Sequence, residues 1–129
     1  MNAARIPRFE QRDLASAVEA LPPDALDTLD FGAIRLDDGG AVQIYNLAER
    51  RLSGSGDLPR IGLEFFSSVA PCMNQSGFRG RIERALARGR LDLEFSWTGD
   101  FSDRLRSVTV RVQSATGGGY WIFMRREDG

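Results

Sequence analysis

The sequence predicts an α+β fold: a five-stranded antiparallel sheet flanked by helices, with a short N-terminal helical cap. Three observations predict it. Hydrophobic spacing switches between the 3.6-residue period of helices and the 2-residue period of strands in the order helix, helix, two strands, short helices, one longer helix, three strands. Glycine-rich turns close neighbouring strand segments into hairpins, which makes antiparallel pairing the natural arrangement, with helices gathered on one side of the sheet. A length of 129 residues, 42% hydrophobic and 27% charged, suits one core that needs neither disulfides nor a structural metal.

Residues 13 to 21 place Leu14, Val18 and Leu21 on one helical face, with Asp13 as N-cap and Pro22-Pro23 as terminator. A second turn, Asp24 to Leu29, starts at the proline pair and presents Leu26 and Leu29. Residues 1 to 28 thus form a cap that need not join the main core, and residues 29 to 129 form the core domain. From Phe31 to Leu36 and from Ala41 to Asn46 the period is that of strands, joined at Asp37-Asp38-Gly39-Gly40. Leu47 to Leu52 is a short helical piece, Ser53 to Pro59 a loop, and residues 58 to 76 short helices or turns broken by Pro59, Gly62 and Pro71. Phe78, Ile82, Ala85 and Leu86 mark an amphipathic helix closed by Gly89. Three strands finish the chain, Leu91 to Thr98, Ser107 to Ser114 and Tyr120 to Arg125. Gly117-Gly118-Gly119 joins the last two, and Gly99 to Arg106 is a longer polar connection.

Composition excludes several functions. With 17 basic and 18 acidic residues the formal charge is -1, which offers no electrostatic footprint for nucleic acid or an anionic membrane. The absence of histidine removes Ser-His-Asp and Cys-His catalysis, His-ligated zinc and the usual near-neutral general base. Any enzyme here would need unusual machinery, and the expectation is of no catalytic residue, no metal ligand and no enzymatic activity. The N-terminus lacks the apolar core of a signal peptide and no stretch approaches a membrane span, so the expectation is a soluble cytoplasmic protein. A lone cysteine excludes an internal disulfide and is most at home in a reducing compartment.

Several residues have two readings. Cys72 follows an apolar run and Pro71; it is either a small buried hydrophobe or a nucleophile, and the latter would need a lowered pKa that no adjacent cation or histidine supplies. Tyr45 and Glu49, four apart, are either a ring at the core edge and a solvated helix charge, or two polar tips converging on one buried acceptor. Gly39-Gly40 and Gly117-Gly118-Gly119 are turns, since no helix bearing Lys-Ser or Lys-Thr follows them. Arg79, Arg81, Arg84 and Arg88, interspersed with Glu83, read as a solvated face, and Trp97, Phe101, Tyr120 and Trp121 as sheet aromatics.

Taken together, Leu29 to Asp37, Tyr45-Asn46-x-Ala48-Glu49, Phe65-Phe66-x-x-Val69-Ala70-Pro71-Cys72, Phe78-x-Gly80 and Tyr120-Trp121-x-Phe123 resemble the photoactive yellow protein family, blue-light sensors with a PAS-type fold. The resemblance runs from about residue 29 to 125. It implies that Cys72 carries 4-hydroxycinnamic (p-coumaric) acid as a thioester. Tyr45 and a protonated Glu49 then donate hydrogen bonds to the phenolate, and the hydroxyl of Ser53 supports Tyr45. It places Ile34, Phe65, Phe66, Val69, Ala70, Pro71, Met73, Gly99 and Phe101 around the pocket. Signalling would follow from isomerisation, protonation of the phenolate by Glu49 and loosening of the fold. The family's best-known members have an arginine where this chain has Ser55, an aromatic at Gly99 and a methionine at Asp103, while Phe101 keeps its ring; Arg104 or Arg106 is left to approach the pocket instead. The implied partner is a downstream signalling protein the sequence does not identify, with a monomer or weak dimer expected. The reading set against it is a PAS-type module that binds a protein or small ligand without a chromophore.

Overall fold

The computed structural model describes residues 6 to 53, 59 to 101 and 104 to 127. Its centre is a five-stranded, wholly antiparallel sheet of β1 (Gly32–Leu36), β2 (Val42–Tyr45), β3 (Asp92–Phe101), β4 (Arg104–Ser114) and β5 (Tyr120–Arg126), in the spatial order β2-β1-β5-β4-β3. Helices α1 (Leu14–Glu19), α2 (Leu47–Ser53) and α3 (Arg79–Ala87) complete it, with short 3-10 turns at Pro23–Thr28 and Pro71–Met73 and a π-helical turn at Phe65–Val69. Among the described residues no helix is long and apolar enough to cross a membrane.

Strand alternation gives the sheet two buried faces. Ile34, Ile122 and Val112 stand in one cross-strand row, and Ala33, Phe123 and Arg111 in the next, so the rows point to opposite sides. The first side carries the larger core, in which Val108, Val110, Ile122 and Met124 meet Phe65, Phe66, Met73, Phe78 and Ile82. The second carries Phe9, Leu14, Val18, Leu26 and Leu29 against Phe31, Ala33, Trp121 and Phe123. The helices between the strand groups gather on one side, as expected, but the cap covers the other. A sheet whose Trp121 and Phe123 face away from the main core needs that second cover.

The cap is bound by polar groups as well as by packing. Arg111, 6% exposed, donates through Nη1 to the carbonyls of Phe9 and Gln11, both at 2.6 Å. Gln113 donates to Arg12 O and accepts from Ala15 N, each at 2.8 Å. Asp13 holds the N-cap position of α1, but its side chain makes no capping bond and accepts from Gln11 Nε2 instead.

Two expectations require correction. Most of Gly99 to Arg106 is not an irregular connection: β3 runs to Phe101 and β4 starts at Arg104, pairing Gly99 with Arg106, Asp100 with Leu105 and Phe101 with Arg104. Polar composition does not prevent backbone pairing, which engages main-chain groups whatever the side chains. Leu86 does not join the apolar face of α3 and is 48% exposed. The helix does end at Gly89, where φ is +80° and the bonds Gly89 N to Leu86 O and Arg90 N to Ala85 O form a Schellman close.

Candidate functional site

Glu49 is positioned by the start of α2. Asn46 ends the loop from β2, and its Oδ1 accepts from Glu49 N at 3.1 Å and from Ala33 N at 2.9 Å, a side-chain cap that ties the helix to β1. Its Nδ2 donates to Leu26 O and Phe31 O, at 2.9 and 3.1 Å. The first turn of α2 is thereby fixed to both the sheet and the cap. Glu49 lies one turn along, 2% exposed, over Gly32. A Cβ on Gly32 would fall 2.0 Å from Glu49 Oε1, so the carboxyl occupies space that only glycine leaves.

The segment from Phe65 shapes the opposite wall. Ala70 N reaches back to Phe65 O at 2.8 Å, an i to i+5 bond that makes the turn π-helical, and Pro71 then starts the 3-10 turn that presents Cys72. Cys72 is half-buried, and Gln75 Nε2 donates to its carbonyl at 2.8 Å. Val42 N to Leu63 O and Phe65 N to Gly40 O strap the preceding strand of chain to the edge of β2.

Between these walls lies a cavity of about 230 Å³. Tyr45, Glu49 and Ser53 border it from β2 and α2, while Phe65, Val69, Ala70, Pro71, Cys72 and Met73 border it from the other wall, with Arg60. Tyr45 Oη donates to Ser53 Oγ at 2.9 Å. Glu49 Oε1 is buried with no hydrogen-bond partner, and burial alone pushes its pKa up to about 8 from 4.5, so at neutral pH the group holds its proton. A neutral carboxyl with an unfilled hydrogen-bonding position is a donor in waiting. Roomier depressions of about 470 and 500 Å³ lie elsewhere, but neither is bordered by the thiol or by an orphaned buried polar atom.

The structure thus brings Cys72, Tyr45, Glu49 and Ser53 to one space, together with five of the nine residues expected to line it. Ile34 and Phe66, 0% and 2% exposed, belong to the same core but do not border the cavity. Gly99 pairs with Arg106 in the β3–β4 hairpin and does not border it either. Of Phe101, Arg104 and Arg106 only the strand pairing is described, and Ser55 and Asp103 lie outside the described residues. Arg60 was not anticipated. Its sole sequence signal is its place at the head of the segment that carries Cys72.

No family model matches the chain. It is 37% identical over 120 residues to a photoactive yellow protein from Rhodothalassium salexigens, covering 92% of this chain and 96% of that one. A solved photoactive yellow protein domain, from the sensor histidine kinase Ppr of Rhodospirillum centenum, superimposes with a TM-score of 0.77 at 37% identity over 86% of this chain and 98% of the domain. A PAS domain from Colwellia psychrerythraea matches at a TM-score of 0.66 and 14% identity over 80% of this chain and 91% of its own, a likeness of fold alone.

Proposed function

The chain belongs to the photoactive yellow protein family of PAS-fold photoreceptors, and from that membership we propose that it senses blue light through 4-hydroxycinnamic acid held as a thioester on Cys72. The observation that carries the reading is that the lone cysteine and a buried, neutral glutamic acid with an unpartnered oxygen border the same small cavity. Its volume is below the roughly 300–1,000 Å³ of pockets for drug-sized ligands, which suits a single ring on a short arm. When bound, that group supplies a conjugated phenolate that absorbs blue light and isomerises about its double bond.

The chain's own residues account for the rest. Cys72 Sγ fixes one end of the group, and the apolar side chains of Phe65, Val69 and Met73 keep water from it. Tyr45 Oη and the Glu49 carboxyl are the donors for an anionic oxygen, and such charge-assisted bonds are about twice as strong as neutral ones. Tyr45 has one proton to give, so serving the pocket requires Ser53 to reverse their bond and donate to Tyr45 Oη. In doing so Ser53 gives up its long bond, 3.5 Å, to Arg50 O.

Glu49 is also the proton reservoir. On giving up its proton it becomes a carboxylate in an apolar space, which is costly without a partner or solvent. The strain bears on α2, whose first turn holds the cap through Asn46 Nδ2 to Leu26 O and Leu47 N to Asp27 Oδ1, at 2.9 and 2.8 Å. Displacement of Glu49 loosens those bonds and with them residues 1 to 28, the signal a downstream protein would read. Activated p-coumaric acid added to the purified chain is expected to add one acyl group, located on Cys72 by peptide mass analysis and missing in Cys72→Ala. An unmodified chain, or equal labelling of Cys72→Ala, would overturn the assignment and leave a PAS module without chromophore.

A further inference from the structure

We infer that Arg60 is a positioning residue for Glu49: when the carboxyl loses its proton, the Arg60 guanidinium closes on it across the cavity and holds the carboxylate inside the fold. The inference rests on Glu49 being the group that gives up a proton, and it concerns what receives the resulting charge.

Two orphaned atoms point to it. Buried polar atoms are nearly always hydrogen-bonded, and each exception calls for a reason. Among the described residues four buried side-chain atoms have no partner, and two of them, Glu49 Oε1 and Arg60 Nε, belong to residues on the wall of this one cavity. They are complementary, since Nε–H can only donate and a carboxylate oxygen can only accept. Among the residues whose side chains are described, Arg60 is the sole cationic one bordering the cavity.

The two groups are not paired with Glu49 in its neutral form. The upward shift of the Glu49 pKa comes from burial, with no opposing contribution from a cation. Among the described residues the other ionisable side chains bordering the cavity are Tyr45 and Cys72, and Asp27, on the turn packed against α2, is engaged by Leu47 N. None of them can neutralise a carboxylate. Arg60 can, and its position allows movement. The backbone just after it is strapped to β2 by Gly62 N to Val42 O and Val42 N to Leu63 O, at 2.8 and 2.9 Å, while the half-buried side chain makes no bond through Nε. A fixed base and an uncommitted head let the guanidinium travel without unfolding the chain around it.

The test needs no pigment. In the full chain labelled with 13C at glutamate carboxyls, the Glu49 signal, identified by its loss in Glu49→Gln, is titrated in the parent, in Arg60→Gln and in Arg60→Lys. Removing the cation is expected to raise the Glu49 midpoint by about one unit, the lower end of what a nearby opposite charge contributes, and Arg60→Lys is expected to restore most of it. Arg60→Met, which keeps the apolar stem, replaces Arg60→Gln if the latter does not fold. In the pigmented chain the same loss should speed the return to the dark form about tenfold, the rate equivalent of one unit. An unmoved midpoint in Arg60→Gln overturns the inference, as does an equal shift in Arg60→Lys. A changed dark colour with an unmoved midpoint would also overturn it, assigning Arg60 to the bound group instead. Failure of the chain to take up pigment would count against the proposed function, while the titration would still decide the role of Arg60.

Discussion

The two faces of the sheet each shelter a glutamate, and they treat it in opposite ways. On the cap side, burial pushes Glu19 upward, but Trp121 Nε1 at 2.8 Å, Thr116 through both its N–H and its hydroxyl, and Arg35 nearby outweigh it and leave the carboxyl below its ordinary pKa. On the cavity side, Glu49 has burial and no such partners, and it ends near 8. One carboxylate is spent on closing a structure, and the other is kept neutral with an oxygen unengaged. Glu49 is the more deeply buried of the two, but burial opposes the charge on both, and what reverses the direction at Glu19 is the convergence of hydrogen-bond donors on the carboxyl. The carboxyl on the cap face is fully engaged, and the one on the cavity face is not.

The largest effect that would break this contrast is the pH dependence of stability. A carboxyl raised from 4.5 to about 8 in the folded state binds more protons there than when unfolded, so its contribution to stability falls as pH rises from about 4.5 to 8 and is flat above. The full loss is ~5 kcal/mol, at 1.36 kcal/mol per unit. Urea unfolding of the unpigmented chain at pH 5, 7 and 9 should show the decline, and Glu49→Gln should remove it. Glu19 runs the other way: its lowered pKa contributes stability at neutral pH that is lost as pH falls through the acid range.

Next in size is Arg111→Met. It strips the donors from the carbonyls of Phe9 and Gln11 on the buried face and should cost about 3 kcal/mol. Limited proteolysis should then cut within residues 8 to 13 well before the sheet unfolds. Resistance there equal to the parent's would show that packing of Phe9 and Leu14 alone holds the cap. The smallest effect is that of Trp121→Phe, which removes one of the donors to Glu19 and keeps the aromatic stack on Phe123. A loss of about 1 kcal/mol and a rise in the Glu19 titration midpoint are expected. An unchanged midpoint would mean that the Thr116 bonds suffice.

The strands, the helix ends and the turns were legible because they are local. Gly89 sits where a left-handed residue closes a helix, and Asp37 to Gly40 where a hairpin turns, with Asp37 Oδ1 accepting from Gly39 N and Ala41 N. The reach of β3 and β4 was not legible, since backbone pairing through Phe101 and Arg104 leaves no mark in a polar side-chain pattern. Nor was the hold of Arg111 and Gln113 on the cap, because the contacts join residues about a hundred positions apart and engage backbone carbonyls that leave no trace in side-chain pattern. The site was legible in a different sense. Cys72, Tyr45 and Glu49 each had an ordinary reading from composition and spacing, and only their joint resemblance to a family raised them above it. Arg60 had no such signal, and its place became visible only once the fold put it beside the same cavity.

Light sensing at the cavity face is read from the absorption of the chain after treatment with activated p-coumaric acid, followed in darkness, under blue light and in darkness again. A blue-absorbing band that bleaches under illumination and returns thermally is expected, and it should not form in Cys72→Ala. An acylated Cys72 whose band does not bleach, or bleaches without recovery while the protein stays folded, would contradict light sensing there.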